Sequence, residues 1–520
     1  MKKIIYSFVC AALLGLTSCN DFLEEDSREK LTSGDYFKTE SQATANVNRL
    51  YWMGVPRHYA EASSAYLGPD VTIPGMLTGY FINSYEGQEL VCQYARLLTR
   101  QQYPSNMVAT VQGIWDPCYQ AINVANASIL YTPDINMDAD DRARLVAEAK
   151  FFRAFNYFYL VKTFGAVPMP TIPYESYDQD LRLPRTDVST VYELIESDLI
   201  AAVEVLPAVM FSNGHRITKF AAAMLLANVY FQQGKYSEAV PYAKIVIDSP
   251  HSLTTNDDLQ LNSAFNKLRT TEDLAESIYA VEFDNNIRNG SWWPTYAFTS
   301  AATAVFGTYS IFERVYGPTD RFLNVYDSTD LRIQPNQFFH WEYTNPNNGV
   351  TWRSDQAGCW YYYDEDALLN TGRATKDWNI FRYAEALLVA AESIAQSNGV
   401  TAEAVGYLAE IKARADMNGK TSAQYAAELQ NMSPTAFIEE CWIERLREFP
   451  LEFKIWDDCT RTGMFPSISE TENGKVNFVP LIGAKNGSGA TFTQSDLLWP
   501  ISEEEIQRNP NLTQNPGYER

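Results

Sequence analysis

TKFAAAMLLANVYFQQGKYSEAVPYAKIVIDSP, residues 218–250, decides how this chain folds. It holds two helical runs with a glycine between them. In the first run the small residues Ala222 and Ala227 let a neighbouring helix come close. Gly234 turns the chain, because glycine accepts the left-handed backbone that ends a helix. In the second run Tyr236, Ala239 and Ala243 sit at the knob positions of a partner helix. The stretch reads as two helices packed on each other, and it points to a mainly α fold.

Such a pair resembles a tetratricopeptide unit. A second candidate lies at 381–416, and weaker copies lie at 107–165 and 186–233. The segment 138–165 begins with acids and ends at Gly165, as a capped helix should. From 151 to 164 it is apolar nearly all round, which predicts burial on several sides. Further upstream, 41–54 reads as a helix capped by Ser41. Between the two clear pairs, 252–379 differs: it is rich in Asn, Gly, Trp and Tyr, with short β-like runs such as 277–284. The stretch 345–366 carries turn residues and no helical period. The repeats are therefore expected to be split by an irregular, loop-rich insertion with a few short strands. Aromatic-rich loops on a helical frame are where ligand sites tend to be.

The start of the chain concerns address rather than fold. Lys2 and Lys3 precede an apolar run, 4–16, too short to span a bilayer permanently. The run ends in Leu16-Thr17-Ser18-Cys19, which resembles a bacterial lipobox. That implies a signal over 1–18 and a lipid on Cys19, whose several acyl chains would hold far better than one. Asn20, Asp21, Glu24, Glu25 and Asp26 follow as an acidic tether, 19–36, similar to the export signal of surface lipoproteins in Bacteroidetes. No later segment approaches the roughly eighteen consecutive apolar residues of a spanning helix.

Charge and cysteine use narrow the function. The formal net charge is −23, and losing Lys2 and Lys3 with the signal makes it more negative. Nucleic acid and anionic membrane faces need a positive surface, so both are disfavoured. Polyanionic ligands are disfavoured too, unless basic groups cluster locally. The 32 tyrosines, 27 phenylalanines and 11 tryptophans suit a ligand with an apolar face and many hydroxyls, as sugars have. Of seven cysteines, Cys10 leaves with the signal and Cys19 takes lipid. Cys92, Cys118, Cys359, Cys441 and Cys459 form no C-x-x-C pair and are expected to be mostly free, buried thiols.

Four further segments, in order, resemble the SusD/RagB family of nutrient-uptake outer-membrane lipoproteins of Bacteroidetes. They are AEAKFFRAFNYFYLVKTFGAVPM (147–169), FRYAEALLVAAES (381–393), WIERLREFPLEFKIWDDCTRTG (442–463) and LLWPISEEEIQRNPNLTQNPGY (497–518). Pro450 and Thr460 depart from the family pattern. The resemblance implies one SusD-like unit over 37–520, with a helical part to about 250 and a part carrying the ligand loops beyond it. It implies a surface protein, anchored by lipid in the outer membrane, that captures oligo- or polysaccharide and delivers it to a SusC-like TonB-dependent transporter. The helical repeat face would rest against that transporter. A peptide-capturing relative of the same family is the alternative; a surface glycosidase and a pure tetratricopeptide scaffold come from other classes. Candidate ligand residues are Trp292, Trp293 and Tyr296 in one loop, where the family's sugar site has a contribution, and Asp70, Tyr80 and Asn83 in another. The WYYYDED stretch at 360–366 comes next. Adjacent tryptophans cannot both face one way in a strand, so core packing competes with stacking at 292–293.

Enzyme machinery is not evident. His58, His215, His251 and His340 have no ligand spacing, and no H-E-x-x-H, G-x-S-x-G or G-x-G-x-x-G occurs. NGKT at 418–421 reads as a helix-ending turn. Glu444 and Glu448 share a helix with Arg445 and Arg447. They are expected to fix helix packing as partners of these arginines, or of Arg382 and Arg461, because adjacent guanidinium groups hold carboxylates ionised. No catalytic residue, metal site or cofactor is expected, a structural calcium ion being the one ion left open. In NPNLTQNPGY the Asn side chains are expected to satisfy backbone groups.

Overall fold

The computed structural model describes residues 36–56, 74–84, 90–102, 104–175, 179–284, 290–296, 303–307 and 314–518. The lipobox, the acidic tether and Asp70 lie outside these residues. Among the described residues six longer helices come first, with the short helix Leu90–Arg96 between the first two: α1 Glu40–Met53, α2 Pro104–Tyr131, α3 Ala139–Phe164, α4 Val188–Val205, α5 Lys219–Gln232 and α6 Tyr236–Ile247. Each packs on the next. After the insertion come α7 Tyr383–Asn398, α8 Ala402–Arg414, α9 Ser422–Leu429, α10 Pro434–Glu448 and α11 Ile455–Thr462. Helix α6 packs directly on α7, so the helical array continues across an insertion of more than a hundred residues.

The local reasons are visible in α3 and α5. Asp138 caps α3, accepting hydrogen bonds from the backbone N–H of Asp140 and Asp141. Every residue from 151 to 161 of α3 is buried, which the absence of a polar face requires. At α5, Ala221, Ala222, Ala223 and Ala227 are fully buried and admit close neighbours on both sides. Gly234, at φ +70°, then reverses the chain, and Ala239 and Ala243 of α6 are buried against α5.

Among the described residues the strands form two-stranded antiparallel ladders. Strand β1 (Phe81–Ile82) pairs with β3 (Gly317–Pro318), and β2 (Ser277–Val281) with β6 (Trp378–Arg382). Strand β4 (Phe339–Thr344) pairs with β5 (Thr351–Cys359), and β7 (Met464–Ile468) with β8 (Val476–Pro480). The β2–β6 pair ties both ends of the insertion to the start of α7.

A buried ionic lattice fastens the insertion to the helices. Arg382 reaches Glu276 at 2.6 Å, Glu452 at 2.6 Å and Glu448 at 3.0 Å. Arg332 reaches Glu444 at 2.7 Å, Asp330 at 2.7 Å and Glu448 at 3.0 Å. Arg414 joins Glu276 at 2.7 Å and also pairs with Glu448. Burial pushes Glu276 upward, but Arg414 and Arg382 outweigh it and hold the carboxyl at about 2. The same balance, with Arg332 and Lys412 as the cations, holds Glu444 at about 2. The expected Glu448–Arg382 pair is present, whereas the main partner of Glu444 is Arg332. Arg445 pairs with Asp458, and Arg461 with Glu392.

The tail clasps the end of α3. Asn515 donates to the carbonyls of Phe164 (3.0 Å) and Trp499 (2.6 Å), and Asn509 donates to Leu183 (2.7 Å). All five described cysteines are buried, and no disulfide joins them among the described residues. No helix among the described residues is long and apolar enough to cross a membrane.

Three expectations need correction. The cap of α1 is Thr39, not Ser41: Thr39 and Gln42 form a reciprocal capping box that starts the helix two residues earlier. The stretch 345–366 is not wholly irregular, since β5 occupies nine of its residues and cross-strand pairing holds it. Phe381 and Arg382 belong to β6 rather than to the helix that follows.

Candidate functional site

The insertion's hairpin builds a ladder of rings. Tyr343 on β4 lies directly opposite Trp352 on β5, and their rings stack at 5.9 Å and 20°. Tyr343 also stacks on Trp360 (6.3 Å, 30°), and Trp360 stacks on Tyr363 at 4.0 Å and 11°. Arg269, on the short helix Ala264–Thr270, brings its guanidinium within 5.0 Å of the Trp360 ring and 5.6 Å of Tyr363. The indole N–H of Trp360 donates to Asn266 (3.2 Å), which fixes the ring. Trp352 and Trp360 are half-buried, so ring surface reaches solvent.

Beside the ladder is a recess open to solvent. Its apolar wall is Trp293, Trp378 and Tyr362; its polar groups include Arg269, Asp364, Lys376 and Asp377. Trp293 stacks on Tyr362 (4.9 Å) and Trp378 (5.5 Å), and the loop is held by the paired backbones of Ser291 and Ala374. Burial, with Glu272 nearby, raises the Asp377 carboxyl to about 7, although the Phe283 N–H donates to it. Burial lowers Lys376. Flat apolar walls with a few convergent polar groups can hold a sugar ring by its C–H face and orient its hydroxyls.

The expected platform of Trp292, Trp293 and Tyr296 is not one exposed surface. Trp293 is 4% exposed and Tyr296 is fully buried, because the short helix Trp293–Tyr296 inserts both into the aromatic core. Trp292 is half-buried, with the guanidinium of Arg373 at 4.1 Å over its ring. Tyr80 is also fully buried: it stacks on Phe465 at 5.4 Å, and its hydroxyl accepts from the Ile468 N–H. Asn83 is 2% exposed and contacts Cys92. The WYYYDED stretch, by contrast, supplies both the ladder and the recess. Residue-level reading missed Trp352, Tyr343 and Trp378. The available signal was the Asn-Gly turn at 348–349 flanked by aromatic β-formers, a hairpin signature.

Comparison with known proteins matches residues 362–518 to the SusD family and residues 74–231 to a family described as starch-binding associating with outer membrane. SusD-like protein P2 of Formosa agariphila is 26% identical over 543 residues, covering 100% of both chains. Starch-binding protein SusD of Bacteroides thetaiotaomicron is 24% identical, with 72% of each chain covered. Among solved structures, a SusD superfamily protein from Parabacteroides distasonis superposes with a TM-score of 0.79 at 25% identity, covering 94% of this chain and 100% of that one. With both family matches falling in chain order on the helical array and on the ionic-lattice half, the chain belongs to the SusD/RagB family.

Proposed function

We propose that this protein is a surface glycan-binding lipoprotein. Anchored in the outer membrane through Cys19, it captures oligo- or polysaccharide without catalysis and passes it to a SusC-like TonB-dependent transporter. The observation that carries the reading is the stacked ladder Trp352, Tyr343, Trp360 and Tyr363 beside a recess with a polar rim. The name of its starch-binding relative and the outer-membrane description of the matched family support it. Trp292, with Arg373 over its ring, is half-buried, unlike Trp293 and Tyr296, and it is proposed as an outlying contact. Asp70 is retained as a candidate contact on the sequence reading alone. The helical repeat face is proposed to meet the transporter.

A specific observation favours hydrolysis as the competing reading. Asp364 and Asp377 line one recess, and a carboxyl raised to about 7 suits a general acid. The tests separate the two. The purified protein is screened against diverse polysaccharides by affinity electrophoresis and calorimetry, while reducing ends are assayed over a day. Retarded migration on at least one glycan without new reducing ends supports binding. No retention on any glycan counts against it, and turnover abolished by Asp377→Asn would replace it with hydrolysis.

A further inference from the structure

A second concavity lies away from the aromatic recess and shares none of its residues. It is bounded by α8, α9, α10 and the segment 327–332, and is open to solvent. Its lining carries six carboxylates against four cationic side chains, an excess of two negative charges. Most of these acids are already engaged. Arg332 holds Asp330 through two hydrogen bonds of 2.9 and 2.7 Å. Asp416 accepts from the backbone N–H of Asn418 and Lys420 and from the hydroxyl of Tyr425 at 2.8 Å. Glu440 is paired to Lys412.

Glu444 differs. The residue is 0% exposed, and its Oε1 accepts from Arg332 at 2.7 Å. Its Oε2 lines up with no hydrogen-bond donor among the described residues. Lys412 Nζ forms an ion pair with it at 3.8 Å, outside hydrogen-bond reach. Glu444 is one of the residues lining the cleft, and a buried anionic oxygen calls for a donor. The wall beside it is the half-buried ring of Tyr425, which already gathers ammonium groups: Lys420 Nζ lies 4.0 Å from its centroid and Lys412 Nζ 5.5 Å.

We propose that this cleft is a second ligand site, one that takes a primary ammonium group, with Glu444 Oε2 accepting its N–H and Tyr425 offering its ring face. A bare metal ion fits less well: the cleft is far larger than an ion, and no cluster of three metal-ligating side chains occurs among the described residues. The ammonium could belong to a free amino sugar or to a lysyl side chain.

Calorimetry on the full chain in detergent at low salt tests this with four probes: glucosamine, lysinamide, N-acetylglucosamine and calcium chloride. Glucosamine, lysinamide or both should bind, and the better of the two names the source. N-acetylglucosamine, which lacks the ammonium, should bind at least about ten-fold more weakly, a difference of about 1.4 kcal/mol. Glu444→Gln should weaken the ammonium probe by a similar factor. Because that change also touches Arg332, Tyr425→Leu on the short helix α9 provides a second variant with the same expected loss. Heats that are absent for both ammonium probes, equal for N-acetylglucosamine, unchanged in Tyr425→Leu, or confined to calcium would each overturn the proposal.

Discussion

Asp377 is a half-buried carboxylate in the aromatic recess, and Glu448 a fully buried one ion-paired to arginines. Asp377 has a folded pKa raised to about 7, chiefly by burial and then by Glu272. The folded state therefore binds its proton more tightly than the unfolded chain, and a cost to stability builds as pH rises from about 4 to 7. Asp377→Asn removes that cost, so its melting temperature should gain on the wild type more at about pH 8 than at about pH 5. Equal differences at both values would refute the assignment. Glu448 sits at the junction of Arg332, Arg382 and Arg414. Glu448→Gln leaves three guanidinium groups under-compensated and should cost about 3–5 kcal/mol of stability, read by chemical denaturation. The neighbouring carboxylates Glu276 and Glu444, held at about 2, contribute stability that is fully present above their unfolded pKa. It is lost as pH falls through about 4 toward 2. Sequence could foresee that Glu444 and Glu448 would meet arginines, because Arg445 and Arg447 stand beside them. It could not foresee Arg332, which belongs to the insertion and reaches α10 only through the tertiary fold.

Elements were legible where one local rule dominated. The all-round apolar surface of α3, its Asp cap and its Gly165 stop follow from residues within the helix itself. Thr39 displaced Ser41 as the cap of α1 because the reciprocal bond to Gln42 is worth more than a hydroxyl alone. The hairpin β4–β5 was obscured because its Asn-rich turn hides a cross-strand period that becomes visible only once Tyr343 faces Trp352. Two changes test how α3 ends. Gly165 adopts φ +72°, and a Cβ there would meet Leu498 at 3.1 Å. Gly165→Ala should therefore cost about 1–2 kcal/mol. Asn515→Ala removes the side chain that satisfies Phe164 and Trp499 and should cost about 1–3 kcal/mol, since buried carbonyls lose their donor. Thermal melts unchanged in both variants would show that the tail does not secure this helix.

At the scale of the whole molecule, an acidic chain carries a half-buried aromatic ladder among its described residues. Cys19→Ala should release the protein from the outer membrane or leave the precursor unprocessed; a variant still lipid-labelled and membrane-bound would refute the lipobox reading. The proposed ligand surface is half legible in the sequence. Sequence places the ligand loops in the insertion, with WYYYDED only behind the 292–296 loop, while Trp293, Tyr296 and Tyr80 turn inward because their neighbours in space are other rings. The account stands most directly on one paired measurement: glycan affinity and melting temperature for Trp360→Ala and Trp293→Ala. Trp360→Ala should weaken binding about ten-fold or more while melting shifts only modestly, as expected for a ring at a binding surface. Trp293→Ala should cost about 3–5 kcal/mol of stability, as a core ring does. Undiminished glycan affinity in a well-folded Trp360→Ala protein would contradict the central claim that the ladder holds the sugar.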